Sequence, residues 1–342
     1  MIRQPVVSGK FYPQSPSELR QMLAGMVDEK AEKEDVVGLV LPHAGYIYSG
    51  PVAGATISRV KFGQTFIILG PSHTGRGQPF SIMTDGAWRT PLGDVDIDTG
   101  LADKLLATSR YLEQDDEAHR YEHSIEVQLP WLQFFKPDIK LVPIVLAAAA
   151  STVYREIGRE IAMAIKALNR KVVIIASSDM THYEPQDSAR MKDSQAMEAI
   201  LALDDDELIR RVRELNISMC GYAPVISLIV ATRELGAGAA EIVKYQTSGD
   251  TSGDYSSVVG YAGIIIKSAG MSPQVELARK AVETYVNEGK SVQPPDELSP
   301  QMAARAGVFV SLHKFGQLRG CIGTFEPTRQ NITQEIIANA IS

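Results

Sequence analysis

Val36-Val37-Gly38-Leu39-Val40-Leu41-Pro42-His43-Ala44-Gly45 is an unbroken apolar run that stops at a proline and a histidine, and the same arrangement returns twice. Phe66-Ile67-Ile68-Leu69-Gly70 leads into Pro71-Ser72-His73, and Lys171-Val172-Val173-Ile174-Ile175-Ala176 leads into Ser177-Ser178-Asp179-Met180-Thr181-His182. Short β-branched and aliphatic runs without polar alternation are strands buried on both faces. They predict an α/β fold, a sheet of buried strands covered by helices. In open parallel sheets, ligands bind beyond the carboxyl ends of the strands. Three of the six histidines fall at such ends, so a shared metal or catalytic site is expected there rather than three unrelated loop residues.

The rest of the composition narrows the class. At 342 residues with 44% hydrophobic content, the chain has room for about two domains and a substantial core. A net charge of −7 and the lack of a Lys/Arg stripe argue against a nucleic-acid surface. The longest apolar stretch, Leu141 to Ala150, is too short to span a bilayer, and Met1 to Pro5 contains no signal-like region. A soluble cytoplasmic protein is expected, in which Cys220 and Cys321 are not a disulfide framework.

Strand and helix patterns alternate over residues 1–267. Helices are expected from Ser17 to Val27, from Ser151 to Leu168 with a Ser151 or Thr152 cap, and from Glu198 to Arg213. The run Asp204-Asp205-Asp206-Glu207 reads as a solvated helix start. Further strands are expected at Ile139 to Leu146, Glu241 to Tyr245 and Ser257 to Ile266. Residues 268–273 read as a linker. Residues 274–342 form a second α+β unit: a helix begun by Ser272-Pro273 and ended by Gly289, a hairpin turning at Lys314 to Gln317, and a helical pattern from Ile332 to Ile341.

His43 and His73 are the best ligand candidates, because Pro- and Gly-flanked turns after strands can hold two neutral imidazoles toward one point. Asp179 and His182, three residues apart, can supply an acid–base pair, and Asp179 can also cap a following helix. Cys220 is either core packing or the third, anionic ligand of an iron-type site, with Asp179, Glu126 and Asp250 as carboxylate alternatives. In Glu122-His123-Ser124-Ile125-Glu126 a helical turn would put His123 and Glu126 on one face. His119 and His313 read as exposed loop residues. Two Gly-rich stretches, Gly45 to Pro51 and Ser248 to Ser256, read as tight loops lining the site.

Taken in order, Leu41-Pro42-His43-Ala44-Gly45-Tyr46, Gly70-Pro71-Ser72-His73, Glu122-His123-Ser124-Ile125-Glu126, Ser177-Ser178-Asp179-Met180-Thr181-His182 and Cys220-Gly221 closely resemble the Memo family over roughly Ile2 to Lys267. Leu318-Arg319-Gly320-Cys321-Ile322-Gly323 resembles the start of an AMMECR1 domain, which implies that the second unit is truncated. The pairing is similar to a microbial system in which such proteins accompany a radical-SAM protein, so AMMECR1-like and radical-SAM partners are implied. The resemblance implies a fold similar to class III extradiol dioxygenases. His43, His73 and Cys220 would then hold Fe(II), or copper, with the cysteine standing where the dioxygenases have a carboxylate. His182 would be the acid–base histidine. Phe11, Tyr12 and Tyr48 would line the vestibule, along with His123 and Glu126. Phe11, Tyr12, Tyr46 and Tyr48 also suit a pocket for a small molecule, or for a peptide or phosphopeptide. Metal-activated hydrolysis is a third reading.

Overall fold

Four strands with every residue or nearly every residue buried form the middle of the larger sheet. They run side by side and parallel in the order Lys140–Leu146, Thr65–Pro71, Val172–Ser177 and Val36–Leu41. This is a computed structural model; it describes all residues except 271, 296, 315 and 316, and the side chains of 313, 314 and 317 are also outside the description. Their carboxyl ends coincide because the register is short and in step: Leu41 lies opposite Ser177 and Leu69 opposite Ala176. Val258–Ser268 continues the sheet antiparallel to Val36–Leu41, and Ala237–Thr247 pairs antiparallel with it in turn. On the other flank come Gly93–Ile97, Ala87–Thr90 and Ile2–Arg3.

Helices cover both faces, as a sheet with two apolar sides requires. Tyr222–Glu234 is buried at every position from Ala223 to Thr232, since it lies against the sheet on one side and against Ser151–Leu168 on the other. Tyr46–Ile57 packs against the two antiparallel strands. The chain divides into two compact units, Met1–Ser268 and Ala269–Ser342. The second holds the helix Pro273–Glu288, capped by Ser272, a hairpin of Phe309–Lys314 with Gln317–Gly323, and the helix Ile332–Ala340. Its core is small: Leu277, Met302, Ile336 and Ile337. Among the described residues no helix is long and apolar enough to cross a membrane.

Several local expectations change. The first helix is Pro16–Ala24 with Ser15 as its cap, not Ser17. Ala150 precedes Ser151–Leu168 without a side-chain cap, so neither Ser151 nor Thr152 fills that role. The helix expected over Glu198 to Arg213 is two, Gln186–Leu201 and Asp205–Glu214, separated where Leu203 takes φ 52° and Asp204 caps the second. Gly45 to Pro51 is not a loop: Gly45 begins the helix Tyr46–Ile57. The turn expected at Lys314 to Gln317 lies outside the described residues.

Candidate metal centre

Three imidazoles meet at the carboxyl edge of the sheet. His43 follows the Val36–Leu41 strand and His73 follows Thr65–Pro71, while His123 comes from the loop before the short 3-10 turn Glu126–Gln128. One ligand nitrogen from each lies within 4.8 Å of the others. The His73 and His123 rings stack with centroids 4.8 Å apart, and His43 meets both edge-on at 5.1 and 5.5 Å. Cys220, in the turn before Tyr222–Glu234, sets its Sγ 3.3 Å from His43 Nε2. The side chain of His73 is 31% exposed, and through it the cluster reaches solvent.

Two of the histidines, His43 and His73, are held from behind. The His43 N–H donates to Asp179 at 2.8 Å, and its Nδ1 lies 3.0 Å from Ser177 Oγ. Glu122 is fully buried and grips His73 twice, accepting its backbone N–H at 2.8 Å and facing Nδ1 at 2.9 Å. An ionised carboxylate only accepts, so His73 carries its proton on Nδ1 and leaves Nε2 free. Such carboxylate-backed imidazoles are the usual support of metal ligands. The Glu122 loop can lie on the strand because residue 70 is glycine: a Cβ there would sit 2.4 Å from Ser124 Oγ and 2.9 Å from Ile125.

Burial sets the charges. It pushes His43 well below its ordinary pKa, with neighbouring imidazoles adding to the effect, and it lowers His123. Burial would also lower His73, but the hydrogen bond and charge of Glu122 outweigh it and raise the net value. Burial would raise Glu122, yet the His73 contacts and the backbone N–H groups bring it down to about 2. Burial lifts Asp179 to about 6 against the N–H groups of His43 and Ala44, and burial together with Asp179 raises the Cys220 thiol. Imidazoles in their neutral form, beside a thiol, are a donor set of the kind that binds iron, copper or zinc.

The sequence-derived residues fall into three groups. His43 adjoins both His73 and Cys220. Asp179 anchors the His43 turn instead of capping the helix after it, since Gln186–Leu201 begins at Pro185. His182 has its N–H on Ser218 Oγ and its Nδ1 2.8 Å from the Ser218 carbonyl. Of the lining residues, Phe11 meets His123 edge-on at 5.1 Å and Tyr48 is half-buried. Tyr12 and Glu126 do not line a vestibule. Glu126 is fully buried, ion-paired with Arg3, and accepts the N–H groups of Val6 and Val7 and the Tyr12 hydroxyl. That internal knot turns both side chains inward. Tyr46 is likewise buried, its hydroxyl on the Val127 carbonyl. Asp250 is occupied by Thr247 and Arg190.

Sequence reasoning placed His123 in the lining and missed it as the third imidazole; no strand end or helical period marks it. It also missed Glu122 as the His73 partner. His119, read as exposed, is fully buried against Trp88, and His313 lies outside the described side chains.

Comparison with known proteins follows the division into units. The model of the Memo-like protein family matches residues 3–265, and that of AMMECR1 matches residues 275–342. A MEMO1 family protein of Methanococcoides burtonii is 47% identical over 268 residues, covering 78% of this chain and 100% of the relative. One from Methanopyrus kandleri is 44% identical over 281 residues, covering 78% and 99%. Among solved structures, an uncharacterized protein from Escherichia coli K12 aligns with 67% of this chain and 98% of its own length, at TM-score 0.46 and 14% identity.

Proposed function

This chain belongs to the Memo family, and on that premise we propose that its larger unit is a metal-dependent redox enzyme, its fold akin to class III extradiol dioxygenases, working in the cytoplasm. His43, His73 and Cys220 hold Fe(II), or copper, with His123 as the adjoining imidazole. The observation that carries the reading is the convergence of three imidazoles on one point beside the Cys220 thiol. A bound iron or copper ion supplies one-electron redox chemistry toward a small-molecule substrate.

The chain's own groups do the remaining work. Glu122 keeps the His73 proton on Nδ1. Asp179 and His182 are the acid–base neighbours: Asp179 titrates near neutrality at about 6, and His182, with Nδ1 on the Ser218 carbonyl, presents Nε2 as a base. The thiol in the donor set favours redox chemistry over metal-activated hydrolysis. The peptide-pocket reading loses support, because Tyr12 and Tyr46, two of its four aromatic residues, are spent on internal hydrogen bonds. AMMECR1-like and radical-SAM proteins are the proposed partners.

Metal analysis of anaerobically purified protein tests the assignment. Iron or copper should co-purify in stoichiometric amount and disappear from the His43→Ala/His73→Ala double variant. Unaltered metal content in that variant refutes the reading. Oxygen uptake with catechols and related small molecules then addresses turnover.

A further inference from the structure

The hydroxyl of Ser177 is fully buried at the last residue of its strand. Three groups surround its oxygen: the Ser124 carbonyl at 2.7 Å, Gln128 Nε2 at 2.8 Å and His43 Nδ1 at 3.0 Å. A hydroxyl has one proton and two lone pairs; a carbonyl only accepts and an amide N–H only donates. The Ser177 proton therefore goes to Ser124, and one lone pair takes the Gln128 amide. The orientation of that amide is fixed independently, since its nitrogen also donates to the Pro42 carbonyl at 3.0 Å. The second lone pair is left for His43. An imidazole that binds a metal is neutral and carries a single ring proton.

We propose that Ser177 is a positioning residue that, oriented by Gln128 and the Ser124 carbonyl, holds His43 as its Nδ1–H tautomer and aims the Nε2 lone pair at the metal position beside Cys220. The proposal rests on the metal reading above. Glu122 reaches the same result at His73 with a carboxylate, and the two supports are joined. Ser124 gives its N–H to Glu122 at 2.9 Å and its carbonyl to Ser177. One residue thus ties together the backing of both imidazoles.

The tautomer can be read without metal. In metal-free protein labelled with 15N-histidine, long-range proton–nitrogen correlation spectra distinguish Nδ1–H from Nε2–H rings, and His43→Gln assigns the signal. Wild-type His43 should be protonated at Nδ1. Ser177→Ala should bring in the Nε2–H form and weaken Co(II) binding about 10- to 100-fold, while Ser177→Thr, which keeps a hydroxyl, restores both. Wild-type His43 protonated at Nε2 overturns the proposal even if Ser177→Ala does not fold, and so does a folded Ser177→Ala protein with the Nδ1–H form intact. Failure of wild-type protein to bind Co(II) counts against the metal reading, because the tautomer result stands by itself.

Discussion

Acid should weaken the larger unit through His119, and replacing His119 by leucine should remove that part of the sensitivity. The imidazole is fully buried with its centroid 5.9 Å from the Trp88 ring. Burial is the main cause that brings its pKa down to about 3, with the Arg3 guanidinium contributing and Asp115, the Ser81 backbone and Glu122 opposing. In the unfolded chain a histidine titrates near 6.5. Between those values the unfolded state binds a proton that the folded state refuses. The contribution of His119 is thus complete above pH ~6.5 and is lost as pH falls, by about 1.4 kcal/mol per unit. From pH 7.5 to 4.5 the loss is about 3 kcal/mol, because only the two units below 6.5 count. Urea denaturation at both pH values measures it. Fluorescence reports the larger unit alone, since the chain's two tryptophans, Trp88 and Trp131, both lie within Met1–Ser268. His119→Leu should lose about 3 kcal/mol less than wild type over this range. Equal losses in the two proteins would refute the argument.

Arg3→Ala leaves Glu126 as an unpaired charge with its side chain fully buried; the expected destabilisation is about 3–5 kcal/mol in the same fluorescence assay, and a change below 1 kcal/mol would contradict the buried pairing. Residues 1–268 expressed alone should keep the full chain's fluorescence transition, while residues 269–342, with four apolar side chains in their core, should be protease-sensitive when excised; a protease-resistant small fragment would contradict this.

The central strands were legible because burial on both faces leaves no polar alternation to confuse with a helix: Val36–Leu41 was read with its observed bounds, and the flanking strands to within a residue or two. The helix Tyr46–Ile57 was not, since it carries Gly50, Pro51 and Gly54. Its glycine at 54 answers to a tertiary contact, as a Cβ would lie 2.3 Å from the Met26 carbonyl. His43 and His73 were legible from their place after strands. His123 and Glu122 were not, because their roles depend on a loop seated against Gly70. His119 was misread because Asp115-Asp116-Glu117 looks solvated, whereas Asp115 turns back to accept the N–H groups of Gln78, Glu117 and Ala118 and Arg3 takes the His119 carbonyl. Such long-range bonds leave no periodic trace.

His43 and Cys220 are 177 residues apart in the chain yet touch. A nascent polypeptide that has already exposed both strand-end histidines has no thiol to offer them, and the strand beside Val36–Leu41 that closes the sheet, Val258–Ser268, is made later still. An ion meeting that incomplete chain finds scattered donors, each separated by a long loop whose closure costs entropy. The donor cluster is therefore a property of the completed fold and of no shorter stretch of the chain. In that finished fold Glu122 and the buried hydroxyl of Ser177 sit behind two of the imidazoles, His73 and His43, so a site gathered from distant segments has its orientation built in.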